Sequence, residues 1–220
     1  MRRVLASVEG QTEEIFIRDV LVPHLWDHGV ALQQVILKTK RPAGLPPGRG
    51  GVSKWSLIER ELKILLADSD AALITTMYDL YGLPADTPGW TRSANENPHQ
   101  RADNVEMGMR RTFADRRFQP YLQVHEFEAL LFAAPDHVEQ RAGKSTLSKA
   151  ISEVSERAGG PELVNDNPQT APSKRLVSLW PEFTKTLDGP AIVKEAGLTT
   201  IRAKCPHFDR WVAALEAVAS

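Results

Sequence analysis

Acidic side chains that could act together in catalysis recur directly after short apolar segments of the sequence. Glu9 follows the segment Val4–Val8, Asp79 follows Asp70–Tyr78, and Glu126 comes shortly after a third such segment. Short segments rich in Val, Leu and Ile, bounded by Gly or polar residues, are typical of buried strands. The pattern therefore predicts carboxylates at or just after the ends of several strands.

Carboxylates gathered at one place repel one another, and a bound cation removes that repulsion. Mg²⁺ and Mn²⁺ prefer oxygen ligands and use a few protein carboxylates together with water and substrate phosphate. The chemistry that this suggests is phosphoryl transfer, in which metal ions stabilise the attacking and leaving oxygens and a carboxylate moves a proton. The predicted ligands of Mg²⁺ or Mn²⁺ are Glu9, Glu13, Asp79, Glu126 and Glu128. For Glu13, and for its neighbour Glu14, a role in complementing the positive helix N-terminus is an alternative.

Alternating strand and helix signals predict an α/β fold with a mostly parallel sheet flanked by helices. Right-handed crossovers would place Glu9 and Asp79 at the same edge of that sheet, where ligands of open α/β sheets bind. Further strands are predicted at 30–38 and 118–124, and helices at 12–28, 55–68 and 101–117, the first with a kink or a new turn at Pro23. The division predicted from these patterns is an α/β domain at 1–135 and a helical C-terminal extension at 136–220 packed on it.

Two basic regions could contact a phosphate. The segment 40–51, rich in Gly and Pro, contains Arg49, and an ordinary connection is the alternative interpretation. Five arginines lie in or beside the helix predicted at 101–117, among them Arg110 and Arg111. They suit either a solvated helix face or the steering of a phosphate backbone.

Composition adds few constraints on function. The 220 residues have a formal net charge of -1, so overall charge favours no class of partner. A single cysteine, Cys205, precludes an internal disulfide, and no apolar segment approaches the length of a membrane span, so a cytoplasmic protein is expected.

His24 and His28 have the helical spacing of zinc ligands, but the sequence offers no adjacent third ligand, which favours an ordinary surface pair.

The motif Val8–Glu13 (Val-Glu-Gly-Gln-Thr-Glu) resembles the opening motif of Toprim domains, the metal-binding α/β module of topoisomerases, primases and OLD-family nucleases. Together with the segments 78–82, 125–131 and 202–208, it resembles an uncharacterised bacterial Toprim-like family over nearly the whole chain. The resemblance implies that Glu9 acts as catalytic acid or base and as ligand, and that Glu13 and Asp79 are ligands. It further implies a partner ATPase and a role in phage defence, as for related families.

The chain departs from the Toprim pattern at Tyr81, which stands where an Asp-x-Asp motif has its second Asp. We expect Glu126 or Glu128 to replace that ligand, and His125, like Arg49, to contact phosphate. The main functional hypothesis is a nuclease subunit acting on DNA or RNA. The alternatives are a catalytically inactive binding or regulatory subunit, which Tyr81 favours, and a small-molecule phosphatase or phosphotransferase that uses the same acids.

Overall fold

The computed structural model describes residues 1–37, 54–90, 97–164 and 170–219. At its centre is a five-stranded sheet in which every strand pair of these ranges is parallel. The strands are β1 (Arg2–Val8), β2 (Val30–Ile36), β3 (Leu73–Asp79), β4 (Phe118–Gln119) and β5 (Leu122–Gln123). Their order is β2-β1-β3-β4, with β5 also paired with β3. The predicted α/β class, with a mostly parallel sheet flanked by helices, is confirmed.

The register of the two central strands brings two predicted site residues to the same edge. Val8 of β1 lies opposite Met77 of β3 in a parallel pair, so Glu9 and Asp79 both follow at the carboxyl ends of their strands. Parallel strands end on the same side of a sheet, and this edge is where ligands of α/β folds gather.

The segment predicted as one strand at 118–124 forms two short strands, β4 and β5. Pro120 lies between them and has no backbone N–H to give to the ladder. The hydroxyl of Thr76 substitutes for the missing ladder, because it accepts a hydrogen bond from the Tyr121 N–H (3.0 Å) and donates one to the Tyr121 carbonyl (2.8 Å). The two strands therefore act as one interrupted edge strand beside β3.

Ten α-helices surround the sheet in the described ranges: α1 (Gln11–Phe16), α2 (Val22–Asp27), α3 (Trp55–Leu66), α4 (Pro98–Phe113), α5 (Pro135–Ala142), α6 (Leu147–Ala158), α7 (Pro172–Leu179), α8 (Lys185–Ala196), α9 (Leu198–Arg202) and α10 (Pro206–Glu216). A π-helical turn, Ile17–Leu21, joins α1 to α2 where Pro23 cannot donate to the carbonyl four residues before it. Helix α4 ends earlier than predicted because Ala114 adopts a left-handed conformation (φ 49°). None of these helices is long and apolar enough to cross a lipid bilayer.

The sheet separates two hydrophobic cores. Alternate residues of β1 enter different cores, with Val4 in one and Leu5 in the other, as strand geometry requires. The smaller core contains the buried faces of α3 and α4. The larger one contains α1 and the C-terminal helices, including Trp211 of α10, whose ring stacks on Tyr121 at a centroid distance of 4.2 Å. The helical C-terminus thus packs directly on the sheet.

Candidate functional site

Glu9 is the first residue after β1, and its carboxylate reaches across to the end of β3. The backbone N–H of Asp79 donates a hydrogen bond to Glu9 Oε2 at 3.3 Å. In the turn after β3, Gly82 lies against the same carboxylate, because a Cβ at Gly82 would be 3.0 Å from Glu9 Oε1 and 3.2 Å from Oε2. The missing side chain at Gly82 therefore makes the space that Glu9 occupies.

Glu13 lies in the first turn of α1, beside Glu9. Its Oε2 accepts a hydrogen bond from the Gly10 N–H at 3.0 Å, which satisfies an N-terminal donor of the helix. This contact fits the helix-capping alternative for Glu13. A carboxylate has about four lone-pair sites, so the contact also leaves acceptor capacity for a ligand.

Asp79 connects β3 to the turn that carries the last two predicted acids. Its Oδ1 accepts a hydrogen bond from the Phe127 N–H at 2.9 Å. Just before this contact, His125 adopts a left-handed conformation (φ 65°), and its carbonyl accepts the Tyr81 N–H at 3.0 Å. A left-handed non-glycine residue costs about 1–2 kcal/mol, and here it turns the chain so that Glu126 begins the helical turn beside Asp79.

Lys185, the first residue of α8, supplies a cation to this group of acids. Its Nζ donates to Glu126 Oε2 and to Glu128 Oε2, each at 3.2 Å. The other oxygen of Glu126 accepts the Ser173 N–H at 2.6 Å. Sequence analysis missed Lys185, since no local motif marks a lysine that lies 57 residues from Glu128 and begins an ordinary helix. We call Glu9, Glu13, Asp79, Glu126, Glu128 and Lys185 the acid cluster.

Four carboxyl groups of the acid cluster, those of Glu9, Glu13, Asp79 and Glu128, have raised pKa values. Burial, the largest effect, and repulsion by Glu9 raise the pKa of Glu13 to about 7. Burial also raises the pKa of Glu128 to about 7, although Lys185 opposes this. The pKa of Asp79 lies well above its usual range because of burial and the four neighbouring acids, and burial raises the pKa of Glu9 as well.

The pKa of Lys185 reflects the negative charge of the acids around it. Burial lowers the pKa of its ammonium, but attraction by Glu128, Glu126 and Asp79 outweighs burial and leaves the pKa raised. The site therefore favours positive charge, either as protons on the carboxyls or as a cation between them.

The donor set suits a hard divalent cation, because it consists of carboxylate oxygens whose repulsion a cation would remove. Two groups in the described residues have three ligand atoms all within 4.8 Å of one another: His24, His28 and Glu216, and Asp103, Glu106 and His207. Neither includes a member of the acid cluster. Side chains of the cluster would thus have to draw together around an ion, and Glu126 and Glu128 would have to share their oxygens with Lys185.

The residues predicted to contact substrate lie in different settings. His125 is buried beside the acid cluster, with 3% of its surface exposed. Arg110 and Arg111 are exposed in the last turn of α4, where their charge complements the helix C-terminus, and in the described residues neither forms an ion pair with the cluster. Arg49 lies outside the described residues. Tyr81 is 42% exposed in the turn between Asp79 and Gly82.

Comparison with known proteins gives a match at the level of the protein family. No curated protein and no solved structure matches the chain. A family model matches residues 8–216, which include every member of the acid cluster and reach the end of α10. The chain therefore belongs to the family described as the domain of unknown function DUF4276.

Proposed function

We propose that this protein is a Toprim-like nuclease subunit that hydrolyses phosphodiester bonds of DNA or RNA with Mg²⁺ or Mn²⁺. One observation carries the proposal: five carboxylates from three separate segments converge at the carboxyl edge of a parallel sheet. Structural ion pairs need one acid for each base, whereas this cluster has five acids and one lysine. Such an excess of buried and partly buried carboxyls is typical of a functional site.

The proposed ligands are Glu9, Glu13, Asp79, Glu126 and Glu128. When bound, Mg²⁺ or Mn²⁺ would stabilise negative charge on the phosphate and promote ionisation of the attacking water. The carboxylates of Glu9 and Asp79 are already oriented by backbone N–H groups, which reduces the cost of arranging them. This arrangement supports a role in holding the ion.

Glu9 is the proposed proton acceptor. A carboxylate with a raised pKa accepts a proton near neutral pH more readily than an ordinary one, and burial raises the pKa of Glu9. Lys185 is half-exposed beside the acids, so its ammonium can also neutralise charge on a bound phosphate. Substrate contacts by His125, Arg110, Arg111 and Arg49 belong to the same proposal.

The resemblance of the Val8–Glu13 motif to Toprim domains supports the choice of nucleic acid as substrate. It is also the reason to propose a cytoplasmic protein that works with an ATPase in phage defence.

A second candidate is a regulatory or binding subunit without catalysis. It is favoured by Tyr81 in place of a second Asp and by Lys185, which already occupies Glu126 and Glu128.

Cleavage assays separate the two candidates. Purified protein is incubated with Mn²⁺ and supercoiled plasmid, single-stranded DNA or RNA, alongside Glu9→Gln and Asp79→Asn. We expect cleavage by the wild type and a loss of about 100-fold or more in Glu9→Gln, since general base catalysis contributes that much. Glu14→Gln is the matched control, because Glu14 lies in the same helical turn as Glu13 and outside the acid cluster; it should cleave at the wild-type rate.

Equal cleavage by all four proteins would identify a contaminating nuclease and contradict the proposal. Absence of both Mn²⁺ binding and cleavage of any of the three substrates would favour the regulatory subunit.

A further inference from the structure

A second group of side chains with metal-binding chemistry connects the two ends of the chain. His24 lies in α2, His28 follows at its end, and Glu216 is the last residue of α10. One ligand atom from each of them lies within 4.8 Å of the other two. His24 Nε2 is 2.6 Å from Glu216 Oε1, and His28 Nε2 is 3.9 Å from the same oxygen. Folding thus supplies the third ligand that the sequence did not place beside the histidine pair.

The orientation of His28 suits coordination through Nε2. Its Nδ1 lies 2.9 Å from the backbone carbonyl of His24, and a carbonyl only accepts hydrogen bonds, so Nδ1 carries the proton. The lone pair of the neutral ring is then on Nε2, which faces Glu216. A carbonyl that fixes the tautomer in this way is the usual outer partner of a metal-bound histidine.

Glu216 is held as an ionised carboxylate. Arg202 donates to both of its oxygens, at 2.5 Å and 3.1 Å. Arg202 Nη1 and His24 Nε2 contact the same oxygen, Oε1, at 2.5 Å and 2.6 Å, so an ion at the histidine pair would replace the His24 contact and share Oε1 with Arg202.

Space for a further ligand exists next to His24. A cavity of about 310 Å³ is lined by His24 and Arg202, with Asp19, Lys194 and Thr199 around it. Its size admits several water molecules. An ion at the histidine pair could therefore complete its coordination with water.

We propose that His24, His28 and Glu216 bind one Zn²⁺ ion, with water as the fourth ligand, and that the ion ties α10 to α2. Two imidazole nitrogens and one carboxylate oxygen suit Zn²⁺, whereas Mg²⁺ and Ca²⁺ prefer oxygen alone. Ligand atoms around tetrahedral zinc are about 3.3 Å apart, so His24 and Glu216 must separate by roughly 0.7 Å. Both side chains are partly exposed, which permits this movement. The site does not depend on the proposed nuclease function.

Zinc titration with calorimetric detection tests the inference. The proteins are the wild type, His28→Ala, Glu216→Gln and Asp79→Asn, the last of which perturbs only the acid cluster. His137→Ala is the matched control, because His137 is a half-buried helical histidine outside both groups of metal-ligand atoms. We expect one Zn²⁺ site that is kept in Asp79→Asn and His137→Ala. Zinc affinity at this site should fall at least about tenfold in His28→Ala and Glu216→Gln.

The absorption spectrum of bound Co²⁺ provides a second measurement, since tetrahedral nitrogen and oxygen ligands give stronger bands than octahedral oxygen ligands. Circular dichroism verifies that each variant is folded. His28 is 42% exposed, so we expect the fold to tolerate its replacement by alanine. Two results would overturn the inference. One is a zinc affinity that does not change in His28→Ala, and the other is a single zinc site in the wild type that disappears in Asp79→Asn.

Discussion

At the scale of single residues, the acid cluster depends on backbone groups that orient its carboxylates. The N–H of Asp79 contacts Glu9, that of Gly10 contacts Glu13, and that of Phe127 contacts Asp79. Each contact is fixed by the end of a strand or the start of a helix. The carboxylates are therefore arranged by local backbone geometry before any ligand binds.

Gly82→Ala tests how closely Glu9 must be placed. A Cβ at position 82 would lie 3.0 Å from Glu9 Oε1, so the carboxylate would have to move by a few tenths of an ångström. A displacement of an aligned group by as little as 1 Å costs up to about 100-fold in rate, so we expect roughly a tenfold loss of Mn²⁺-dependent cleavage. Steady-state cleavage rates measure the effect.

Gly10→Ala is the control for this substitution. Its Cβ would lie 3.5 Å from Glu13 Oε2, an ordinary contact, so cleavage should change much less. A Gly82→Ala variant as active as Gly10→Ala would show that the position of Glu9 has little influence on the reaction.

Individual site residues were predictable to the extent that a local pattern marks them. Glu9 and Asp79 could be placed at one sheet edge because each follows a recognisable buried strand. Lys185 and Gly82 were missed, since their importance comes from contacts across the fold. His24 and His28 were recognised as a pair, but Glu216 lies 192 residues after His24 in the chain.

At the scale of elements, the cluster joins the ends of β1 and β3, the turn after β5 and the start of α8. Lys185, at the start of α8, donates hydrogen bonds to Glu126 and Glu128. The backbone N–H of Ser173 in α7 donates to the other oxygen of Glu126. The C-terminal helices therefore complete a site that the sheet begins.

Lys185→Gln should weaken the metal-free protein and strengthen its binding of divalent cations. Removal of the ammonium leaves the buried Glu128 and the partly buried Glu126 without their cation. We expect a cost of only about 1–2 kcal/mol, because Lys185 is 48% exposed and solvent screens the interaction. The more negative cluster should then bind Mn²⁺ several-fold more tightly. Urea denaturation and Mn²⁺ titration at neutral pH measure the two effects.

Lys194→Gln is the control, since Lys194 is an exposed lysine in the last turn of the same helix. It should leave both quantities unchanged. Weaker Mn²⁺ binding in Lys185→Gln would mean that the lysine supports the metal site and does not compete for its oxygens.

The elements themselves were largely predictable, because hydrophobic periodicity depends on local sequence. The strand and helix alternation gave the α/β class, and the π-helical turn lies where Pro23 predicted a break. The edge strand was predicted as continuous, and Thr76, which bridges its interruption, is distant in sequence. The end of α4 was also misplaced, since a left-handed Ala114 has no sequence signal.

At the scale of the whole molecule, charge is balanced overall but concentrated at one edge of the sheet. The net charge is -1, yet the acid cluster holds five carboxyls against one lysine. Local concentration of charge makes the stability of the fold depend on protons and cations at this edge.

Without divalent cations, the protein should lose stability as pH rises from 5.5 to 8. Glu13 and Glu128 have pKa values of about 7 in the folded chain, whereas a carboxyl of an unfolded chain titrates near about 4.3. Their contribution is fully present below pH of about 4 and is lost as pH rises through about 7. Between pH 5.5 and 8 each group should lose about 2 kcal/mol of stabilisation. Thermal unfolding across this range measures the loss.

Glu13→Gln and Glu128→Gln should reduce this pH dependence, because a glutamine does not titrate. Glu14→Gln should retain it. A wild-type protein that is as stable at pH 8 as at pH 5.5 would contradict the raised pKa values.

The most direct test of the central claim is a calorimetric titration of Mn²⁺ into the wild type and Asp79→Asn at pH 7, in two buffers of different ionisation enthalpy. A cation that enters the acid cluster must displace protons from carboxyls whose pKa is about 7, so the heat should differ between buffers. We predict that the wild type binds Mn²⁺ with proton release and that Asp79→Asn loses this binding. Absence of binding at millimolar Mn²⁺, or equal binding by Asp79→Asn, would contradict the assignment of the acid cluster as a metal centre.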